Sequence, residues 1–109
     1  MPYNEELATR IREILKAEKG LSEKKMFGGV GFLVRGNLAC GAHKDELILR
    51  LGETDFRTAL KTAHARIFDM TGRPMKGWIL VAKDGYKSEK VLQGWIRKSL
   101  EFARSLPPK

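Results

Sequence analysis

The sequence predicts a single α+β domain in which an antiparallel sheet of about five strands packs against helices. Two observations favour this class. Apolar residues recur at helical spacing near both ends of the chain, and short apolar runs separated by tight turns fill its middle. The predicted order of elements is α-β-β-β-α-β-β-α. With 109 residues, of which 42% are hydrophobic, the chain has enough material for one core, so residues 1–109 are predicted to form one domain.

The first predicted element is a helix over residues 5–19. Asn4 is a good N-cap, because its side-chain oxygen accepts a hydrogen bond from a free backbone N–H of the first turn. Four apolar residues then form one stripe along the helix: Leu7, Ile11, Ile14 and Leu15. Gly20 ends the helix, since glycine adopts the left-handed conformation that commonly follows the last turn.

Three strands are predicted next, over residues 26–34, 38–43 and 46–51, after a polar step at residues 22–25. The turns between the strands contain glycine, asparagine and aspartate, which favour hairpins. The three strands therefore form an antiparallel meander. The third strand alternates between a core face with Leu47, Leu49 and Leu51 and a mixed face with Glu46, Ile48 and Arg50.

The second half of the chain is predicted to begin with a short helix over residues 55–63 and a strand over residues 66–70. A loop over residues 71–77 then leads into a buried strand over residues 78–82. The last helix runs from about residue 88 to residue 105, before two prolines. Its predicted buried stripe consists of Leu92, Trp95, Ile96, Ser99, Phe102, Ala103 and Leu106.

The composition argues against several classes of protein. The single cysteine excludes an intramolecular disulfide and a cysteine-rich zinc site, and it fits a reducing compartment. No stretch approaches the roughly 20 apolar residues of a membrane span, and the acidic N-terminus does not resemble a signal peptide. The sequence therefore predicts a cytoplasmic protein with no membrane contact. The net charge of +8 predicts weak attraction to polyanions.

Two motifs invite a chemical interpretation that their context disfavours. Cys40 and His43 stand three positions apart in a strand, so their side chains are expected on opposite faces, and Cys40 is predicted to be buried and inert. The glycines of residues 28–31 lead into a strand, whereas phosphate-binding loops lead into a helix. These glycines are therefore predicted to let a bent strand pack closely under a helix. No catalytic, cofactor-binding or metal-binding residue is predicted.

The loop over residues 71–77 is the first candidate binding site, and it offers Arg73, Met75 and Lys76 to a partner. Arg73 has the planar fork that binds a carboxylate or phosphate, and Met75 is an adaptable apolar contact. The alternative is that Pro74 merely fixes a turn. Trp78, directly after the loop, is predicted to belong to the core.

The last helix provides a second candidate, a basic surface for polyanions formed by Lys87, Lys90, Arg97, Lys98 and Arg104. Nucleic-acid-binding proteins usually add exposed aromatic residues or a reading helix. Here Trp95 and Phe102 are assigned to the buried stripe, and no helix-turn-helix pattern is present. The prediction is limited to weak, non-specific and salt-sensitive binding.

Five segments of the chain, taken together, resemble the N-terminal domain of the TfoX/Sxy competence regulators: residues 25–32, 36–41, 45–50, 68–78 and 102–109. The resemblance implies a fold like that of type III secretion chaperones, which are commonly dimeric. It also implies an association with transcriptional control of DNA uptake. On this basis the chain is expected to be a non-enzymatic regulatory domain that needs no cofactor and acts through a protein partner, with the transcription machinery as one candidate.

A homodimer is the last prediction from the sequence. The strands are apolar on more than one side, so a second apolar surface has to be covered. In a two-fold dimer the same patch meets itself, here through sheet residues and the loop over residues 71–77. The alternative is that helices cover both faces within one chain, which leaves a monomer.

Overall fold

The fold is described from a computed structural model, which covers residues 3–26, 28–69 and 75–108. Within these residues there are three α-helices and six strands. The helices are α1 (Glu5–Leu15), α2 (Glu53–Leu60) and α3 (Glu89–Ser105). The strands are β1 (Leu21–Met26), β2 (Gly29–Val34), β3 (Asn37–His43), β4 (Glu46–Arg50), β5 (Ala65–Phe68) and β6 (Met75–Val81).

The strands form one sheet in the order β1-β2-β3-β4-β6-β5, and every pair of neighbours is antiparallel. The α+β class and the predicted order of elements are confirmed. The sheet has six strands where about five were expected, because the residues interpreted as a polar step form β1. Residues 22–25 are exposed on this edge strand, and charged edge strands lack the apolar alternation that identifies a strand in a sequence.

Several boundaries differ from the prediction for local reasons. Helix α1 ends at Leu15, four residues early, because Leu15 is its last buried residue. Helix α2 spans Glu53–Leu60 with Gly52 as N-cap, where residues 55–63 were predicted, and α3 is capped by Ser88, whose side chain accepts a hydrogen bond from Val91 N. Strand β6 begins at Met75, so the last three residues of the predicted loop over residues 71–77 belong to a strand that pairs with β5. No helix within the described residues is long and apolar enough to cross a membrane.

All three helices pack on one face of the sheet and share one core with it. The cross-strand register places Phe32, Cys40, Leu49 and Ile79 in one row of this face, and all four are fully buried. Each helix adds its apolar stripe to the same cluster. The helix side chains in it are Leu7, Ala8, Ile11, Leu15, Phe56, Ala59, Leu92, Ile96, Leu100 and Ala103.

The opposite side of the sheet, which we call the far face, carries a small separate cluster of Ile48, Phe68 and Leu80. Met75 and Trp78 pack against it and stay half-buried. The alternation predicted for β4 is therefore correct, with Ile48 on the side opposite the leucines. No residue of the described helices belongs to this cluster, although its three members are buried within one chain. The homodimer and the monomer therefore both stay predictions.

Candidate functional site: a cationic cleft at the end of the sheet

A cleft of about 340 Å³ lies where β4 ends and α2 begins, beside the start of β6. It is lined by Arg50, Leu51, Glu53, Phe56, Lys76, Gly77, Trp78 and Phe102. We call this feature the Arg50 cleft. Its volume is near the lower end of the range for ligand sites, and it combines two cations with apolar walls, which is a common composition for a recognition pocket.

Backbone geometry at the sheet end shapes the cleft. Arg50 is the last residue of β4 and pairs in register with Trp78 on β6. The next amide, Leu51 N, donates a 2.8 Å hydrogen bond to the Gly77 carbonyl, and Gly77 has a φ of +90°, which favours glycine. Gly52 leaves room for the ring of Phe102, since a Cβ at Gly52 would lie 3.3 Å from that ring.

The Arg50 guanidinium lies over two aromatic rings. Its Cζ is 5.6 Å from the centroid of the Trp78 ring and 5.4 Å from that of Phe102. Cation–π attraction of this kind contributes about 0.5–2 kcal/mol per pair. Trp78 is itself supported by Phe68, at 5.8 Å between ring centroids and a tilt of 57°. The rings thus hold the guanidinium in place without using its N–H donors in a salt bridge or hydrogen bond to the described residues.

Arg50 differs from several other arginines because no acidic side chain among the described residues pairs with it. Arg12, Arg57 and Arg66 each form a salt bridge with a glutamate, at 2.9, 2.7 and 2.9 Å. Arg50 is half-buried, and no carboxylate or hydrogen-bond acceptor among the described residues pairs with it. A partly desolvated charge without a counterion is costly, and such sites are typical of binding surfaces.

The acid in the cleft does not neutralise Arg50. Glu53 lines the same cleft, but its carboxylate forms a 2.7 Å salt bridge with Arg57, one turn further along α2. Lys76 adds an exposed ammonium group to the rim. The cleft therefore presents a positive charge to anything that enters it, and this charge complements an anion.

The three residues predicted to bind a partner have different positions. Lys76 lines the Arg50 cleft, whereas Met75 packs half-buried against the cluster on the far face. Arg73 lies outside the described residues. Trp78, predicted to belong to the core, is half-buried and serves both the far-face cluster and the wall of the cleft.

Sequence reasoning missed Arg50 and assigned Phe102 wrongly. Phe102 is half-buried and lines the cleft, so its place in the buried stripe of the last helix is corrected. It lies on the flank of that stripe, where helical spacing does not separate core from rim. A signal for Arg50 was present, because a cation on the mixed face two residues before Gly52 marks a strand end, but its pairing with Trp78 requires the cross-strand register.

The basic residues predicted to bind polyanions are partly neutralised. The Lys87 ammonium is 3.7 Å from a carboxylate oxygen of Asp84. Arg104 forms a two-point salt bridge with Glu18, and hydrogen bonding to Arg104 holds the pKa of Glu18 below its ordinary value. These two side chains are engaged within the chain.

Three further members of that set stay without an acidic partner among the described residues. Lys98 lies over the ring of Trp95, 5.7 Å from its centroid. Lys90 and Arg97 are exposed on α3 without a salt bridge. Trp95, predicted to lie in the buried stripe of the last helix, is only half-buried and donates its indole N–H to the Gly85 carbonyl.

Cys40, Gly29 and Gly41 are buried within the sheet. Cys40 is fully buried, as predicted, and burial raises the pKa of its thiol to about 12. Gly29, one of the glycines predicted to pack under a helix, instead faces the backbone of β3, and Gly41 faces the backbone of β2. The close contact is thus between β2 and β3. No group of three metal-binding side chains occurs among the residues that the structure describes.

Cys40 is expected to react with a thiol reagent at a negligible rate in the native protein at pH 8. With a pKa near 12, the thiolate fraction is about 10⁻⁴ at that pH, and the sulfur has no access to solvent. Ellman's reagent, added with and without urea, measures this difference. Rapid labelling without urea would contradict it.

The family model described as TfoX N-terminal domain matches residues 13–103 of the chain. No curated protein and no solved structure matches the chain. The likeness to secretion chaperones therefore stays a prediction.

Proposed function

Because the chain belongs to the TfoX N-terminal domain family, we propose that it is a non-enzymatic regulatory domain that acts by docking on a protein partner. The regulated process is the expression of competence genes for DNA uptake, and the domain works in the cytoplasm. The observation that carries the proposal is the Arg50 cleft. Arginine and tryptophan are the residues most enriched at the energetic centres of protein interfaces, and here both stand in one cleft with Phe102.

Site-specific photo-crosslinking in the native cell tests the proposal. A benzophenone amino acid is placed at Lys76, on the rim of the cleft, and in a matched variant at Lys24, an exposed lysine of the edge strand β1. We expect a discrete adduct with a second protein from Lys76 and none from Lys24. Equal adducts at both positions, or none at Lys76, would contradict docking at the cleft.

Weak binding to nucleic acid is the alternative function, and the charges of α3 limit its strength. With Lys87 and Arg104 engaged within the chain, three of the five predicted contacts remain. Since log K changes by about −0.9 per phosphate contact, the slope against log salt should be no steeper than about −3 on duplex DNA. Fluorescence anisotropy on two unrelated duplexes measures it. A steeper slope or a preference for one sequence would show a nucleic-acid site that this helix does not account for.

The homodimer stays a proposal, with the far face as its contact. Ile48, Phe68 and Leu80 are already buried within one chain, so the apolar area for a dimer comes from the half-buried Met75 and Trp78. Sedimentation equilibrium at micromolar concentrations is expected to show a species of twice 12.3 kDa. A single species of the chain mass would exclude a dimer with a Kd near 1 μM, which corresponds to about −8 kcal/mol.

A further inference from the structure

We infer that the Arg50 cleft recognises a carboxylate next to an aromatic or large apolar side chain, in an acidic segment of the partner protein. This inference rests on the proposed docking function and adds the chemistry of the contact. It follows from the ring contacts of one guanidinium group, from its N–H donors, with which no described residue pairs, and from the residues that line the cleft around it.

The Arg50 guanidinium lies over two aromatic rings, and its N–H donors are left for a ligand. Cζ lies 5.6 Å from the centroid of Trp78 and 5.4 Å from that of Phe102. The N–H donors lie in the guanidinium plane, and none of them meets an acceptor among the described residues. A planar fork of donors matches the two oxygens of a carboxylate.

The walls of the cleft select what accompanies the carboxylate. The half-buried rings of Trp78 and Phe102 provide apolar surface beside the guanidinium, so an apolar side chain next to the acid gains contact area there. The Lys76 ammonium group at the rim of the cleft favours a second acidic residue in the bound segment. Glu53 does not repel the ligand strongly, because Arg57 already balances its charge.

A protein segment fits this cleft better than a nucleic-acid backbone does. A phosphate chain needs a row of free cations, whereas among the described residues the cleft offers only Arg50 and Lys76, and none of the bases of α3 lines it. One cation held by two aromatic rings in an apolar pocket instead matches a single anchoring acid.

The probe pair that tests the inference is the dipeptide acetyl-phenylalanyl-glutamate amide and its glutamine counterpart, which differ only in charge. Binding to the ¹⁵N-labelled protein is followed by NMR, with a Trp78→Phe variant assigning the indole signals. The chain has two tryptophans. Trp78 lines the cleft, while the Trp95 indole is bonded to Gly85 outside it and serves as an internal reference.

We expect the glutamate peptide to shift the Trp78 indole signal with a Kd on the order of 1 mM, as suits a short probe. The glutamine peptide should bind at least about tenfold more weakly, because a charge-assisted pair is lost. Arg50→Gln should reduce the affinity for the glutamate peptide by about tenfold. Arg50→Lys keeps the charge but loses the planar fork, and should reduce that affinity at least about fivefold.

The matched control is Arg97→Gln, which removes the same charge from an exposed site that lines a different pocket. It should leave the affinity within about twofold, since solvent screens an exposed charge at a distance. Three outcomes overturn the inference. The first is equal affinity for the two peptides, and the second is a loss of affinity in Arg97→Gln as large as that in Arg50→Gln. The third is tighter binding of phenyl phosphate than of the glutamate peptide, which would indicate a phosphorylated or nucleic-acid ligand.

The two experiments fail separately. An adduct from Lys76 together with equal binding of the charged and neutral peptides would support docking at the cleft and reject recognition of a carboxylate. Charge-dependent binding of the peptide without an adduct from Lys76 in the cell would support an anion-binding site and reject the docking function at this cleft.

Discussion

Replacing Gly41 by alanine should unfold the domain or lower its free energy of unfolding by about 3–5 kcal/mol, in the range of the most damaging single substitutions. A Cβ at Gly41 would lie 2.4 Å from the carbonyl oxygen of Val30, and one at Gly29 would lie 2.1 Å from that of Ala42. Both obstacles are backbone atoms of the paired strand, so β2 and β3 would have to separate. Urea unfolding followed by far-UV circular dichroism measures the loss for Gly41→Ala and Gly29→Ala.

The control is the same substitution in a place without contacts. Gly94 lies within α3, and nothing is within 4 Å of a Cβ built there. Gly94→Ala should raise the free energy of unfolding by about 0.5–1 kcal/mol, because alanine is the better helix former. If the free energy of unfolding of Gly41→Ala is less than about 1 kcal/mol below that of the wild type, the fold does not require the close approach of β2 and β3.

The fold was accessible from the sequence where one face of an element is apolar. The stripe of α1 and the leucines of β4 specify their positions because burial repeats with the period of the helix or the strand. Strand β1 was missed because it is an edge strand with exposed polar residues, so its formation depends on pairing with β2 and not on burial.

The candidate site was less accessible, because it is assembled from residues far apart in the chain. Arg50, Lys76 and Phe102 come from β4, β6 and α3. Of these, Lys76 alone was predicted, since it stands in a loop-like segment with glycine and proline. The pairing of β4 with β6 places Arg50 beside Trp78, and the packing of α3 places Phe102 beside Arg50; neither leaves a local pattern in the sequence.

Replacing Phe68 by alanine should lower the free energy of unfolding by about 3–5 kcal/mol and also weaken the Arg50 cleft. Phe68 is fully buried on the far face with Ile48 and Leu80, and its ring supports Trp78 at 5.8 Å. Loss of the ring leaves a cavity and frees Trp78, which in turn holds Arg50. Urea unfolding measures the stability, and the Trp78 indole signal in the NMR spectrum of the native state measures the cleft.

The control for this prediction is Phe32→Ala, which removes an equally buried ring from the opposite face of the sheet. It should cost a similar free energy of unfolding, about 3–5 kcal/mol, and leave the Trp78 signal in place, because Phe32 packs in the core beneath the helices. Phe102→Ala should affect peptide binding more than stability, because this ring is half-buried and touches the Arg50 guanidinium. The free energy of unfolding should fall by no more than about 2 kcal/mol, whereas binding of the glutamate peptide should be lost. A Trp78 signal that moves equally in Phe32→Ala and Phe68→Ala would mean that the cleft responds to global stability and not to its own support on the far face.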